Sequence, residues 1–373
     1  MLGYDRGQAA RIKRAISRAT DVPERAIVLA ATHTHCGPRV AEMAMPGEID
    51  PTYRARFERT LVDVARAAIA AAREARFRQA TTDWDLAINR RTPTPSGMVM
   101  RPNPDAPCDR TVTTLWLETQ DGTPIASLTT YACHPTSRGG SLIGGDYPGV
   151  TMAALERDCG GVHLFALGCA GDIRPNFVTD EGGFRPATVE EVFARGEELA
   201  QRVRAARDRA TEVGPLSLRA ERAWAALPFA ALPTRERLLA VAQEDRSPLR
   251  RLWAERMLGL PALPASAVAE LQAMRLAHEV ALVCYAGEVV VDYAIWVKRR
   301  WPACVPIAYC NGSVGYVPSA RIYPEGGYEV DGAYPYYLQP APFAPAVEAI
   351  LREATGVLLD RLGIAAADGE ADD

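Results

Sequence analysis

The stretch "AIVLAATHTHCGP" occupies residues 26–38. Six small or apolar residues lead without a charge into Thr-His-Thr-His, and a Cys-Gly-Pro stop follows. Residues 25–31 therefore read as a short buried strand that ends at the histidines. In an extended chain, side chains two apart point to the same side. His33 and His35 are thus expected to share one face at the mouth of a sheet, where α/β enzymes commonly place their sites.

The same pattern, an apolar strand opening into a loop with polar residues, recurs along the chain. "TVTTLWLET", the turn "QDGTP" and "IASLTTYACH" read as a hairpin, with His134 at the end of its second strand. "GVHLFALGCAGDIRPN" is a strand running into a Gly-rich loop, and "VPIAYCNGSVGYVP" is another. "EVALVCYAGEVVVDYAIWVKRRW" reads as a strand, a tight Ala-Gly turn and a helix starting near Glu288. Helical periodicity marks residues 8–20, 53–75, 189–211 and 345–362, with a charged helical segment at 234–260. Residues 82–88 and 215–232 are strand-like, and residues 89–107 read as a Pro-rich loop. The expected fold class is α/β, a mixed central β-sheet flanked by helices. One domain spans residues 1–364, and residues 365–373 are an acidic, disordered tail.

Composition narrows the function. With 48% hydrophobic and 24% charged residues and a net charge of −4, the chain is globular and carries no basic surface for nucleic acid or anionic lipid. No run approaches the ~20 apolar residues of a membrane span. Eight cysteines are scattered without a CxxC pair and read as free thiols. The start, "MLGYDRGQAARIKRAI", is no signal peptide because charges interrupt what should be its apolar core. As written the protein is expected to be cytoplasmic. The opening looks like a strand end, so an upstream segment is expected to be missing; with it, a secreted or periplasmic location is open.

Three imidazoles, or two with a carboxylate, are what a catalytic zinc takes, with one position left for water. His33, His35 and His134 at strand ends supply the first set, and Glu288 is the carboxylate candidate. An acid there also reads as a favourable charge at a helix N-terminus. His163 reads as a packed or half-exposed residue and His278 as a surface one. Asp146 in "GGDYPG" reads either as a partner of a histidine or as a turn former. Cys36 reads as a packed thiol or a soft extra ligand rather than a nucleophile.

The segments "ATHTHCGP", "NRR", "YACHPTS", "GGDYPG", "GCAGDIRPN", "AGE" and "NGSVGYVP…YPEGGYE" occur in that order. In this the chain resembles the neutral/alkaline, non-lysosomal ceramidase family, and more closely its bacterial ceramidase-like branch. The resemblance covers nearly the whole chain and implies a zinc-dependent amidohydrolase acting on linear amides. It implies that His33, His134, Glu288 and Tyr316 hold one Zn²⁺, and that His35 stands beside the scissile amide as a catalytic residue. Arg90 would reach towards developing negative charge, with Arg91 an adjacent competitor, and Tyr328 would donate a hydroxyl. Arg174, Asp172 and Asn176 fall in its substrate-binding loop.

Two departures qualify the substrate. Ceramidases proper carry "GDVSPN" where this chain has "GDIRPN", so Arg174 replaces a small hydroxyl with a charged fork. That arginine is expected either to fold back on Asp172 or the acidic helix after it, or to meet a negative group on the substrate. The chain also ends without the family's C-terminal immunoglobulin-like domain. Both features point to a smaller, more polar N-acyl amide than ceramide. The alternatives are an esterase or lactonase using the same site, and a non-catalytic zinc-binding relic. The expected partner is a small-molecule amide; a homo-oligomer stays open.

Overall fold

The computed structural model describes residues 2–45, 47–278 and 280–367. Helix α1 (Arg6–Thr20) starts at Asp5, whose side chain accepts a hydrogen bond from the Gln8 amide at 2.7 Å. It buries Ala9, Ile12 and Ile16, which recur at helical spacing. Helix α2 (Pro51–Ala70) has Pro at its first position and ends short of the expected residue 75. There follow strands β1 (Arg76–Asp83), β2 (Ala87–Thr94), β3 (Gly97–Asn103), β4 (Thr111–Glu118) and β5 (Pro124–Tyr131). Then come α3 (Asp146–Cys159), β6 (Val162–Leu167), β7 (Ile173–Pro175), α4 (Val189–Arg207), β8 (Thr211–Glu212) and β9 (Arg219–Pro228). The charged segment splits into α5 (Arg235–Glu244) and α6 (Pro248–Leu258), because Ser247-Pro248 starts a new helix. The chain continues through β10 (Ser266–Arg275), β11 (Ala281–Cys284), β12 (Glu288–Val289), α7 (Val291–Arg300), β13 (Val305–Ile307), β14 (Tyr316–Val317) and α8 (Val347–Arg361).

The strands form a five-stranded sheet in the order β6-β5-β4-β1-β8 and a four-stranded sheet in the order β13-β11-β10-β9. Both are mixed: β5 and β6 run parallel, as do β11 and β13, and the remaining pairs are antiparallel. The two sheets abut at their edges, where the Ala308 amide donates to the Leu167 carbonyl at 2.9 Å. Two smaller ladders, β3-β2-β7 and β12-β14, lie around the mouth. Helices α3 and α4 cover the first sheet and α8 covers the second. This is the α/β architecture expected, with the loops after β5, β6, β11 and β13 converging.

Several local expectations are corrected. Residues 25–31 are not a strand in a sheet. After a short 3-10 turn (Glu24–Ala26) they run beside Tyr309–Asn311, exchanging bonds such as Asn311 N–H to Leu29 O at 2.8 Å. Their neighbour cannot extend the ladder, because Tyr309 and Asn311 are both left-handed, at φ 60° and 54°. Residues 89–107 are not a loop but include most of a β2–β3 hairpin. Pro93 is tolerated there because β7 pairs only with Ala87–Asn89, so the missing N–H faces no strand. Glu288 lies in strand β12 opposite Tyr316, not in a helix. Residues 365–367 pack onto α7, the Ala367 amide donating to Arg300 O at 2.8 Å; the rest of the expected tail lies outside the described residues.

All eight cysteines are free. Among the described residues no helix is long and apolar enough to cross a membrane.

Candidate active site

Three strand ends and one extended arm build the site. His33 follows the extended arm, and at φ 56° it occupies a conformation uncommon for a residue with a Cβ. Strain of this kind costs of order 1–3 kcal/mol and persists only where its surroundings enforce it. Here Ala31 N–H is held by the Tyr309 carbonyl and His35 N–H by the Pro135 carbonyl, one on each side of His33. His134 follows β5; Glu288 follows β11; Tyr309 follows β13.

The two buried imidazoles are oriented by backbone carbonyls. His33 Nδ1 bonds the Leu2 carbonyl. His134 Nδ1 bonds the carbonyls of Ala170 at 2.5 Å and Ile173 at 3.1 Å. A carbonyl can only accept, so each Nδ1 carries the proton and each Nε2 keeps its lone pair. Both Nε2 atoms then face one oxygen of Glu288, at 3.4 Å from His33 and 2.9 Å from His134. With Glu288 ionised, three electron-pair donors converge on one point.

Burial pushes the pKa of His33 and of His134 down to about 3, so both are neutral at physiological pH. Burial also raises the Glu288 carboxyl, against the pull of His33 and of hydrogen bonds from the Tyr316 and Tyr309 hydroxyls. This donor set could hold a cation: neutral imidazoles and a carboxylate, with each imidazole's other nitrogen tied to the backbone as metal-binding histidines usually are.

His35 is the exposed member of the cluster. Its ring centroid lies 5.1 Å from that of His33 and 6.0 Å from that of His134. One ligand atom from each of His33, His35 and His134 can be chosen so that all lie within 4.8 Å of one another, which could hold a metal ion. Enclosure in the mouth, then the fields of His134, Arg90 and Arg174, oppose protonation of His35.

Arg90 faces the cluster. Its Nε donates to Glu329 at 2.8 Å and its Nη2 to the Tyr316 hydroxyl at 3.1 Å. Its guanidinium lies 5.5 Å from the ring centroids of both Tyr316 and Tyr328. Arg91 is tied up instead: it donates to Glu329 at 2.6 Å, to Glu325 at 3.0 Å and to the Gly326 carbonyl at 2.7 Å. Neighbours on a strand should point oppositely, but the β2–β3 register slips between Asn89 and Arg91, and this bulge lets both reach one carboxylate. Tyr328 packs edge-on against Tyr316 at 5.3 Å, and among the described residues its hydroxyl takes no partner. Tyr316 lies parallel to His134 at 6.5 Å.

Asp172 is not at the mouth. It is fully buried, and its carboxylate accepts from the Val291 amide at 2.8 Å and from Asn89 Nδ2 at 2.9 Å. Burial raises its pKa to about 6. It braces the base of β2 against the start of α7, so the expected substrate contact gives way to a structural one. Asn176 is exposed two residues beyond Arg174. Arg174 is half-buried, its guanidinium 4.9 Å from the Phe184 ring centroid and its Nη1 3.7 Å from the Met100 sulfur. It folds back on neither Asp172 nor α4.

Gly171 explains how the loop after β6 lies so near the cluster. A Cβ there would stand 2.7 Å from the Glu288 carbonyl and 2.9 Å from that of Val289, so only glycine fits against β12. Asp146 accepts from Ser137 N at 2.9 Å and Ser137 Oγ at 2.6 Å. It staples the loop after His134 and touches no histidine. The Cys36 thiol donates to the Arg138 carbonyl at 3.4 Å, and burial raises its pKa, which suits a packed thiol. His163 is packed between Ser127 and Gly160, and His278 is exposed.

Two residues escaped sequence reading. Tyr309 places its ring 4.4 Å from His33 and its hydroxyl 3.5 Å from His134 Nε2; its position at the end of "VPIAY" was the available signal. Glu329 anchors Arg90, and only its place beside Tyr328 in "GGYE" hinted at it.

No family model and no curated protein matches this sequence. Solved structures do. A structure described as ceramidase complexed with C2 superposes with a TM-score of 0.74 at 15% identity, covering 100% of this chain and 68% of that one. Neutral ceramidase from Pseudomonas aeruginosa superposes with a TM-score of 0.74 at 18% identity, covering 100% of this chain and 67% of that one. The fold is ceramidase-like over the whole chain.

Proposed function

We propose that this chain is a zinc-dependent hydrolase that cleaves the amide bond of an N-acyl compound. The observation that carries this reading is the convergence of His33 Nε2 and His134 Nε2 on one oxygen of Glu288, a set that lacks a donor when Glu288 is ionised. Such a trio of lone pairs is repulsive without a cation, and zinc suits two imidazoles and a carboxylate. His33, His134 and Glu288 would hold it, with Tyr316 close by. When bound, zinc supplies a water acidified towards neutrality and a Lewis acid for the amide carbonyl.

The chain's own residues supply the rest. In hydrolysis the carbonyl carbon gains a bond to water oxygen, the C–N bond breaks, and the amine leaves with a proton. His35, neutral at rest beside the buried pair, is placed to take a proton from the attacking water and hand it to the leaving nitrogen. Arg90 is held at the mouth by Glu329 and Tyr316 without needing to reorganise, which is how a developing oxyanion is best stabilised. The Tyr328 hydroxyl is a second donor for it. Tyr309 orients His134 and the Glu288 carboxylate from behind.

A second reading has its own observation: the 4.8 Å grouping of His33, His35 and His134 would make His35 a ligand rather than the proton carrier. Zinc analysis of His35→Ala separates the two. The function itself is tested by removing metal from the purified chain with a chelator and assaying N-acyl amides of varied acyl length. Hydrolysis should cease and return on adding zinc. Undiminished hydrolysis after complete metal removal, or none with zinc restored, would contradict the reading.

A further inference from the structure

Arginines around the cluster differ in one respect. Arg90 and Arg91 are neutralised by Glu329 and Glu325. Arg174 makes no ion pair among the described residues. Its neighbours are a phenyl ring and a thioether, at Phe184 and Met100. Its backbone pairs with Ile88, two residues from Arg90, so a second cation stands nearby. A surface arginine with no task would turn its fork into water; this one is held half-buried against apolar groups.

We infer that Arg174 binds a carboxylate on the substrate, and that the substrate is an amide whose amine half carries that carboxylate, an N-acyl amino acid. The inference deepens the hydrolase reading and rests on it. One guanidinium offers a planar fork that matches one carboxylate through two parallel bonds. A single uncompensated charge fits a monoanion; a phosphate would draw on more donors than this wall holds. The apolar flank strengthens the pairing by excluding water from it.

The half of the molecule follows from the hydrolase reading: the acyl half of an N-acyl compound is a hydrocarbon chain, so a carboxylate that meets Arg174 belongs to the amine half.

The test uses the full chain with its metal and a matched pair of probes, N-octanoylglycine and N-octanoylglycinamide. Turnover gives kcat/KM for each. Ketomethylene analogues of both, with the scissile NH replaced by CH2, give equilibrium binding by calorimetry without hydrolysis. Wild type should bind and cleave the acid at least about tenfold better than the amide, the scale of one charge-assisted contact worth about 1.4 kcal/mol. Arg174→Ser should erase that preference, weakening binding of the acid analogue far more than that of the amide analogue. Arg174→Lys should recover part of it. A wild type that binds acid and amide alike, or a preference that survives in Arg174→Ser, overturns the inference. If the acid analogue is preferred through Arg174 but neither probe is hydrolysed, the carboxylate contact stands and the hydrolase reading fails.

Discussion

Replacing Glu329 with Gln should loosen the site and lower stability together. The Glu329 carboxylate is buried and takes Arg90 Nε at 2.8 Å and Arg91 Nη1 at 2.6 Å. A glutamine keeps the shape but offers one oxygen to two guanidinium groups and turns an NH2 towards the other. Removing one partner of a buried charge cluster costs about 3–5 kcal/mol. Unfolding entropy for a chain of 373 residues is about 0.8 kcal/mol/K. The melting temperature should therefore fall by about 4–6 °C at pH 7. Burial pushes the Glu329 carboxyl up, yet Arg90 and Arg91 hold it below the usual range. A carboxylate with a depressed folded pKa stabilises above its unfolded pKa of about 4.3, and this stability is lost as pH falls through the folded value. Scanning calorimetry of both proteins from pH 7 to 3.5 should show the full gap above about pH 4.5 and a shrinking gap below it. Equal melting temperatures at pH 7, or a gap that does not shrink in acid, would refute the reasoning.

His35→Ala should retain zinc and fold while turnover drops by about 10²-fold or more, read by elemental analysis and initial rates; loss of the metal would make it a ligand. Gly171→Ala should push against the Glu288 and Val289 carbonyls. It should destabilise by about 1–3 kcal/mol in denaturant titration and weaken zinc binding as β12 shifts. Tyr309→Phe should leave the fold intact and weaken zinc affinity by about 10-fold or more in competition with a chromogenic chelator. The metal-free protein should lose stability as pH falls below about 6.5, because the unfolded chain protonates histidines that His33 and His134, at about 3 in the fold, do not. A melting temperature of that form unchanged from pH 7 to pH 5 would contradict the neutral imidazole pair.

Residues set by local pattern were legible before the structure. The strand that ends at His134, the hairpin before it and the Gly-rich loop after β6 follow from short apolar runs bounded by glycines. His33 and His35 were placed together by the alternation of an extended chain, yet the structure achieves it otherwise. His33 sits in a left-handed conformation that no periodicity signals, imposed by carbonyls of Tyr309 and Pro135. Glu288 read as the first turn of a helix, because the chain does become helical three residues later. What puts it in a two-residue strand is pairing with Tyr316, which is distant in sequence. The same limit hid Glu329 and Tyr309. Their importance lies in reaching Arg90 and His134 from elsewhere in the fold, and a linear sequence does not display such contacts. Asp172 shows the converse, a motif residue whose neighbours in space, Asn89 and Val291, absorb it completely.

The central claim is that His33 and His134, with Glu288, hold a zinc ion. Elemental analysis of the purified protein by plasma mass spectrometry tests it most directly, with His33→Ala and His134→Ala prepared alongside and their folding checked by circular dichroism. The account predicts about one zinc per wild-type chain and near-complete loss of it in both folded variants. Zinc retained at wild-type stoichiometry in both variants, or a wild type that takes up none when zinc is supplied, would contradict it.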